Sequence, residues 1–110
     1  MQISVKTTNE VKVVAFEGSL DTGTSSNAQT RLTELIEGGE RKILVNLEKL
    51  AYISSAGLYV LLRSLKKLTA ADGELRICGL NDMVGNVFDV TGFTLIFKIF
   101  GTESEALKEF

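Results

Sequence analysis

The chain contains no histidine and only one cysteine, Cys78. Histidine is the commonest general base and the commonest zinc ligand, so its absence excludes most familiar hydrolase and zinc-site arrangements. A single cysteine can form neither an internal disulfide nor a thiolate metal site, which favours a reducing compartment and predicts a cytoplasmic location. The composition therefore argues against a histidine-based hydrolase site and against a zinc or thiolate metal site.

A strong charge and a long apolar run are also missing. The formal net charge is −2, which provides no basic field for the phosphate backbone of a nucleic acid. No apolar run approaches the roughly 20 residues that span a bilayer. The first ten residues lack the charged-then-apolar order of a secretory signal. These features predict binding neither to nucleic acid nor to a membrane.

The composition is that of one globular domain. Of the 110 residues, 45% are hydrophobic and 24% are charged, which suffices for one core in a chain too short for two. The spacing of apolar residues predicts alternating strands and helices. The predicted segments are a hairpin of strands at 2–8 and 11–18, a helix capped by Thr24, a strand at 42–47, a loop, a helix from about Ser55 to Ala71, a strand at 74–80, a helix capped by Asn81 or Asp82, a short strand or extended segment at 93–100 and a short helix capped by Thr102.

The strand–helix–strand order from 42 to 80 predicts two parallel strands. Gly73, between helix and second strand, suits a left-handed backbone conformation. Helical spacing predicts which side chains are buried. In the helix at 55–71, the predicted buried face consists of Leu58, Leu61, Leu62, Leu65 and Leu68. Its predicted solvent-exposed face consists of Arg63, Ser64, Lys66 and Lys67. In the next helix, the residues predicted to be buried are Met83, Val84, Val87, Phe88 and Val90.

Two adjacent hydroxyls, Ser54 and Ser55, stand where the helix begins. Serine is a preferred N-cap residue, so one of the two is a cap, and the spacing does not say which. Sites in open α/β sheets lie beyond the carboxyl ends of strands, and a helix N-terminus favours an added anion. Because a phosphate adds about −1.5 to −2 charge units, the other hydroxyl is a physically reasonable phosphoacceptor.

The segment VNLEKLAYISSAGLYVLL, residues 45–62, resembles the signature of STAS domains in bacterial anti-sigma factor antagonists. Two further segments agree: EGSLDTGTSS, with Asp21 at the family's acidic position, and VFDVTGFTLIFKIF, which contains Thr91-Gly92. The resemblance covers nearly the whole chain. It implies an α/β STAS fold over residues 1–110, with a single mixed β-sheet of about four to five strands and about four helices packed on it.

The family's function follows from the same resemblance. It implies that Ser55 is phosphorylated by a serine kinase of the histidine-kinase-type ATPase fold, which is also the anti-sigma factor. The unphosphorylated protein, a monomer or weak dimer, binds that kinase and so releases the sigma factor or another output, and a metal-dependent serine/threonine phosphatase removes the phosphate. The resemblance also implies that the domain itself is not an enzyme and holds no cofactor, because the ATP and metal chemistry belong to its partners. The family's Asp before the acceptor is Ser54 here, so Ser54 is an alternative acceptor. The implied partner-binding residues are Asp21, Ser54, Ser55, Ala56, Gly57 and Tyr59.

Several of these residues also have an ordinary structural interpretation. Asp21 could simply bond backbone N–H groups in a turn. Tyr59 could be half-buried against a loop, and Gly57 could serve turn geometry rather than docking. Two alternative functions stay open: a STAS scaffold that is not phosphorylated, and a small enzyme or nucleotide-binding domain. The second lacks a Gly-x-x-x-x-Gly-Lys loop. Cys78 is expected in the core.

Overall fold

The computed structural model describes every residue from Met1 to Phe110 and contains six strands and four helices. Strands and helices alternate through the middle of the chain, as the hydrophobic spacing predicts. In chain order the elements are β1 (Gln2–Thr8), β2 (Val11–Leu20), α1 (Ser25–Glu37), β3 (Lys42–Asn46), β4 (Leu50–Ile53), α2 (Ser55–Ala70), β5 (Glu74–Cys78), α3 (Asp82–Val90), a 3-10 turn (Phe93–Leu95), β6 (Lys98–Phe100) and α4 (Glu103–Ala106).

The strands form one mixed sheet in the order β1-β2-β3-β5-β6, with β4 added beside β2. Strands β1 and β2 form the predicted antiparallel hairpin, in which Thr8 lies opposite Val11. All other pairs are parallel, including the predicted pair of β3 and β5. The predicted α/β architecture with one mixed sheet and four helices is confirmed.

Strand β4 corrects the predicted loop before the α2 helix. Leu50 and Ile53 are buried, whereas Ala51 and Tyr52 between them are exposed. The strand pairs in parallel with the end of β2, where the register shifts between Gly18 and Ser19. This strand has only four residues, and the two in its middle are exposed, so its sequence shows neither the alternation nor the apolar run that marks a strand. Only its pairing with β2 identifies it as a strand.

The core lies mainly on one face of the sheet. Neighbouring residues on a strand point to opposite faces, so Val13 and Val14 separate two clusters. Val14 belongs to a cluster of 20 buried residues that includes side chains of α1, α2 and α3. Val13 belongs to a cluster of five on the other face, where Ala106 of α4 packs against Cys78 of β5. Cys78 is fully buried, as predicted.

Two predictions about buried faces are wrong. Ser64 is fully buried and its hydroxyl has no hydrogen-bond partner. It lies three residues after Leu61 and four before Leu68, so helical spacing turns it inward despite its polarity. In α3, Val84 and Phe88 form the buried face. Met83 and Val90 share a stripe rotated by about 100–160° from it, and they are 61% and 78% exposed.

The end of α2 also differs from the prediction. Asp72, with a φ of 62°, takes the left-handed conformation expected of Gly73. Gly73 is needed for space, because a Cβ there would lie 2.7 Å from the carbonyl oxygen of Arg41. The chain therefore turns on Asp72 and packs tightly at the glycine that follows.

Three helices begin at one edge of the sheet, which we call the carboxyl edge. Strands β2, β4 and β5 end there, and each leads into α1, α2 or α3. Strand β2 is parallel to both β3 and β4, and β3 is parallel to β5, so β2, β4 and β5 run in the same direction. The N-termini of the three helices therefore lie at the same edge. The fold thus gathers the positive ends of three helix dipoles on one side of the molecule.

Candidate functional site

Ser54 is the N-cap of α2. Its hydroxyl oxygen accepts a hydrogen bond of 3.3 Å from the N–H of Gly57, and its carbonyl accepts one of 2.9 Å from the N–H of Leu58. Its own N–H donates to the carbonyl of Leu20 at the end of β2, at 2.9 Å. The side chain is partly buried. Ser54 therefore connects the start of α2 to the sheet.

Ser55 is the first residue of α2, and its side chain is exposed. The helix cap uses Ser54, so the Ser55 hydroxyl takes no part in it. The first turn of α2 contains no acidic residue. Its unpaired N–H groups and the helix dipole give the surroundings of this hydroxyl a positive character. Of the two serines, Ser54 is therefore the cap and Ser55 is the accessible hydroxyl.

Asp21 directly follows β2, the strand beside the one that leads to the serine pair. Leu20 pairs with Ile53 across β2 and β4, so Asp21 and Ser54 are the residues that follow at the carboxyl edge. The Asp21 carboxylate accepts hydrogen bonds from the N–H groups of Gly23 at 2.9 Å and Thr24 at 3.1 Å. The turn-forming interpretation of Asp21 is thus confirmed. Its carboxylate is held in the turn beside the candidate site.

Thr24 does not cap α1 with its side chain, although it holds the N-cap position. Its hydroxyl donates to the carbonyl of Ser19 at 2.9 Å and accepts from the N–H of Asp21 at 2.9 Å. The two side chains of this turn therefore bond to the backbone between β2 and α1. These hydrogen bonds fix the conformation of the turn beside the start of α2.

The remaining predicted residues divide into accessible and inaccessible ones. Ala56 is partly buried, and Tyr59 is 54% exposed one turn beyond Ser55. Gly57 is buried, and a Cβ there would lie 2.7 Å from the carbonyl oxygen of Leu20. The backbone that approaches Gly57 belongs to this chain, which favours the interpretation of this glycine as a requirement of the turn geometry.

Tyr52 is a surface residue that the sequence reasoning did not place at the site. It lies on β4, two residues before Ser54, and is 48% exposed. A large aromatic side chain that is half exposed is a common feature of protein-binding surfaces. The loop prediction concealed it, because the outward direction of Tyr52 depends on β4 being a strand.

Ionisable groups with shifted pKa values lie away from the serine pair. Burial raises the pKa of the Cys78 thiol to about 11, so it is protonated at neutral pH. Hydrogen bonds from Lys6 and then from Asn46 hold the pKa of Glu103 below its ordinary value. Glu103 borders a groove of about 700 Å³ against β1 and β2. No group of three or more Cys, Asp or Glu side chains is arranged to hold a metal ion.

None of the four helices combines the length and the apolar character that a bilayer crossing requires.

Comparison with known proteins identifies the family. The sequence matches the STAS domain family over residues 2–106, so the chain belongs to the STAS domain family and the resemblance is confirmed. Among its relatives, the anti-sigma-B factor antagonist of Staphylococcus aureus is 36% identical over 108 residues, which cover 96% of this chain and 100% of that protein.

Solved structures show the same fold. A crystal structure of a proposed anti-sigma factor antagonist from Thermotoga maritima has a TM-score of 0.92 at 25% identity and covers 97% of this chain and 92% of that one. SpoIIAA of Bacillus in its unphosphorylated form has a TM-score of 0.76 at 21% identity, and its phosphorylated form 0.74 at 23% identity. Each covers 96% of this chain, and 94% and 96% of the SpoIIAA chains respectively.

Proposed function

We propose that this STAS domain is an anti-sigma factor antagonist whose binding is switched by phosphorylation of Ser55. The unphosphorylated chain binds an anti-sigma factor that is also a serine kinase of the histidine-kinase-type ATPase fold. Binding releases the sigma factor or another output from that kinase. A metal-dependent serine/threonine phosphatase restores the unphosphorylated state.

The observation that supports the proposal is that the two serines have different structural roles. Ser54 accepts the N–H of Gly57 and is partly buried, while Ser55 is exposed at the first position of α2. A kinase can therefore reach the Ser55 oxygen without opening the helix cap. Ser54 would have to release its cap bond first, which favours Ser55 over the alternative acceptor.

The position of Ser55 also suits the phosphorylated product. The γ-phosphoryl group of ATP is transferred to the Ser55 oxygen, ADP leaves, and the hydroxyl proton passes to a base of the kinase. The new charge of about −1.5 to −2 lies at the positive end of the α2 dipole, where anions are stabilised. Because SpoIIAA keeps this fold in both of its forms, we expect the phosphate to change the local surface and not the fold.

The replacement of the family's Asp by Ser54 is compatible with this mechanism. Asp and Ser are both preferred N-cap residues, because either side-chain oxygen accepts an N–H of the first turn. Ser54 therefore keeps the cap and removes one negative charge beside the acceptor. Less like-charge repulsion then opposes the phosphate on Ser55.

The experiment that tests the proposal maps the phosphate. The purified chain is incubated with ATP and each candidate anti-sigma factor kinase of its own genome, and the product is analysed by mass spectrometry. We expect one phosphate on Ser55, its loss in Ser55→Ala and its retention in Ser54→Ala. Phosphate on Ser54 alone, or none with a kinase that binds the chain tightly, would overturn the assignment. The second result would favour the scaffold function.

A further inference from the structure

Helix α2 carries charge of one sign. It contains three basic residues, Arg63, Lys66 and Lys67, and no acidic residue. Each of the other three helices contains more acidic than basic residues. The whole chain has a formal net charge of −2. Helix α2 is therefore a positive region on an acidic protein.

The three cations of α2 are free of carboxylate partners. The four ion pairs of the chain use Lys6, Lys12, Arg76 and Lys98. Arg63 donates only to the side-chain carbonyl of Gln29, at 3.0 Å. On the neighbouring helix α1, Arg31 offsets one of the two charges of Glu34 and Glu37, so the two helices together keep a net positive charge.

The cations continue the surface that begins at Ser55. Residues three or four apart on a helix are neighbours on one face, and Ser55, Tyr59, Arg63 and Lys66 follow that spacing. All four are exposed. With a rise of 1.5 Å per residue, the line from Ser55 to Lys66 is about 16 Å long. We call these four residues, with Lys67 beside them, the α2 stripe.

We propose that the α2 stripe is one continuous docking surface and that the kinase presents an acidic surface to its basic end. This inference rests on the proposed function and adds the chemistry of the partner. Charge complementarity is the argument, because three unpaired cations on one helix attract an acidic surface and speed its encounter. Tyr59 lies between the basic end and Ser55 and offers the apolar contact at the centre.

The two ends of the stripe have separate tasks. Charges in physiological salt are screened over about 8 Å, which is half the distance from Ser55 to Lys66. A phosphate on Ser55 therefore leaves the attraction at the basic end largely unchanged. The basic end sets the rate of association, and the Ser55 end decides whether the encounter becomes a lasting complex.

Charge reversal at the basic end tests the proposal. The variant Lys66→Glu/Lys67→Glu is compared with Lys49→Glu/Lys108→Glu, which makes the same change in net charge at exposed lysines outside α2. The probe is the anti-sigma factor kinase that binds the wild-type chain, and association is followed by stopped-flow fluorescence. We expect an association rate about tenfold lower for the α2 variant at low salt, and little difference at about 0.5 M salt.

A neutral variant excludes misfolding as the cause. Lys66→Gln/Lys67→Gln should slow association by an intermediate factor while circular dichroism shows the wild-type helix content. Wild-type association rates in the α2 variant, or equal slowing in the Lys49→Glu/Lys108→Glu control, would overturn the docking surface.

A Ser55→Asp arm separates this inference from the proposed function. If Ser55→Asp dissociates faster than wild type while charge reversal on α2 changes nothing, the function stands and the docking surface is wrong. If Ser55→Asp binds as tightly as wild type, the phosphorylation switch is wrong even where charge reversal slows association. If no kinase of the genome binds the wild-type chain, both fail.

Discussion

The hydroxyl of Ser54 accepts the N–H of Gly57 at 3.3 Å, and this bond defines the start of α2. It determines which of two adjacent serines is structural. The same turn brings Gly57 against the carbonyl of Leu20, so the cap, the glycine and the end of β2 form one packed unit. Ser55 lies outside that unit and is left for a partner.

Removing each hydroxyl separately should affect different properties. We expect Ser54→Ala to lower the free energy of unfolding by about 0.5–1 kcal/mol, because it leaves an N–H of the first turn without its cap. Ser55→Ala should stay within about 0.5 kcal/mol of wild type, since an exposed side chain outside the cap is lost. Urea unfolding measures both. Equal destabilisation of the two variants would contradict the assignment of the cap.

Gly57 should not tolerate even a methyl group. A Cβ there would lie 2.7 Å from the Leu20 carbonyl oxygen, so we expect Gly57→Ala to destabilise the fold by about 1–3 kcal/mol. Gly85 of α3 is the matched control, because its nearest neighbour to a Cβ would be 3.8 Å away. Gly85→Ala should stabilise by about 0.5–1 kcal/mol. Thermal or urea unfolding compares them, and a harmless Gly57→Ala would refute the packing.

Arg76 secures the end of the chain. Its guanidinium donates to the carbonyls of Ala106, Lys108 and Glu109 at 2.7–2.9 Å, and it lies 4.3 Å from the centre of the Phe110 ring. The donated bonds hold the C-terminal residues over the smaller core cluster. Truncation of this side chain should therefore release them.

We expect Arg76→Ala to lower the free energy of unfolding by about 3 kcal/mol, since it breaks a buried, charge-assisted network. Arg76 also forms an ion pair with Glu74 at 2.7 Å. The control is Lys98→Met, which removes the exposed ion pair of Lys98 with this same carboxylate and should cost less than about 1 kcal/mol. Urea unfolding compares the two. A loss for Arg76→Ala no larger than that for Lys98→Met would show that the C-terminal contacts are marginal.

The fold should lose stability in acid. Hydrogen bonds from Lys6 and Asn46 hold the pKa of Glu103 below its ordinary value of 4.5. Burial alone would raise the pKa of Glu74, but Arg76 and Lys98 outweigh it and lower that pKa also. A carboxyl whose pKa is lower in the folded state stabilises the fold above the unfolded pKa, and this contribution is lost as pH falls through the folded one.

Denaturation as a function of pH measures the effect. We expect the free energy of unfolding to fall below about pH 4.5, and to fall less steeply in Glu103→Gln, which cannot titrate there. A profile that is the same in Glu103→Gln and wild type would show that this carboxylate contributes nothing.

The main elements could be predicted from the sequence because their signals are local. Apolar spacing identifies α2, and the continuous apolar run identifies β3. The elements that could not be predicted depend on contacts between residues far apart in the sequence. Strand β4 exists because the end of β2 pairs with it. Ser64 is an exception, because the local helical spacing of α2 already turns it toward the core and only its polar residue type suggested an exposed position.

The position of the candidate site could be predicted from the sequence, but the separate roles of Ser54 and Ser55 could not. A pair of serines before a helix indicates a cap and a spare hydroxyl. Which serine is which depends on where α2 begins, and a shift of one residue exchanges them. Tyr52 was missed because its exposure follows from β4. The sequence left Gly57 open between docking and turn geometry, because it does not show that the close neighbour of Gly57 is Leu20 of the same chain.

The central claim is that one phosphate on Ser55 decides whether the chain can displace an output protein from its kinase. The direct measurement is a competition with the kinase–sigma factor complex, in which unphosphorylated and Ser55-phosphorylated chains are titrated in parallel. We expect the unphosphorylated chain to release the sigma factor, and the phosphorylated chain to require a concentration at least about tenfold higher for the same release. Equal release by the two forms would contradict it.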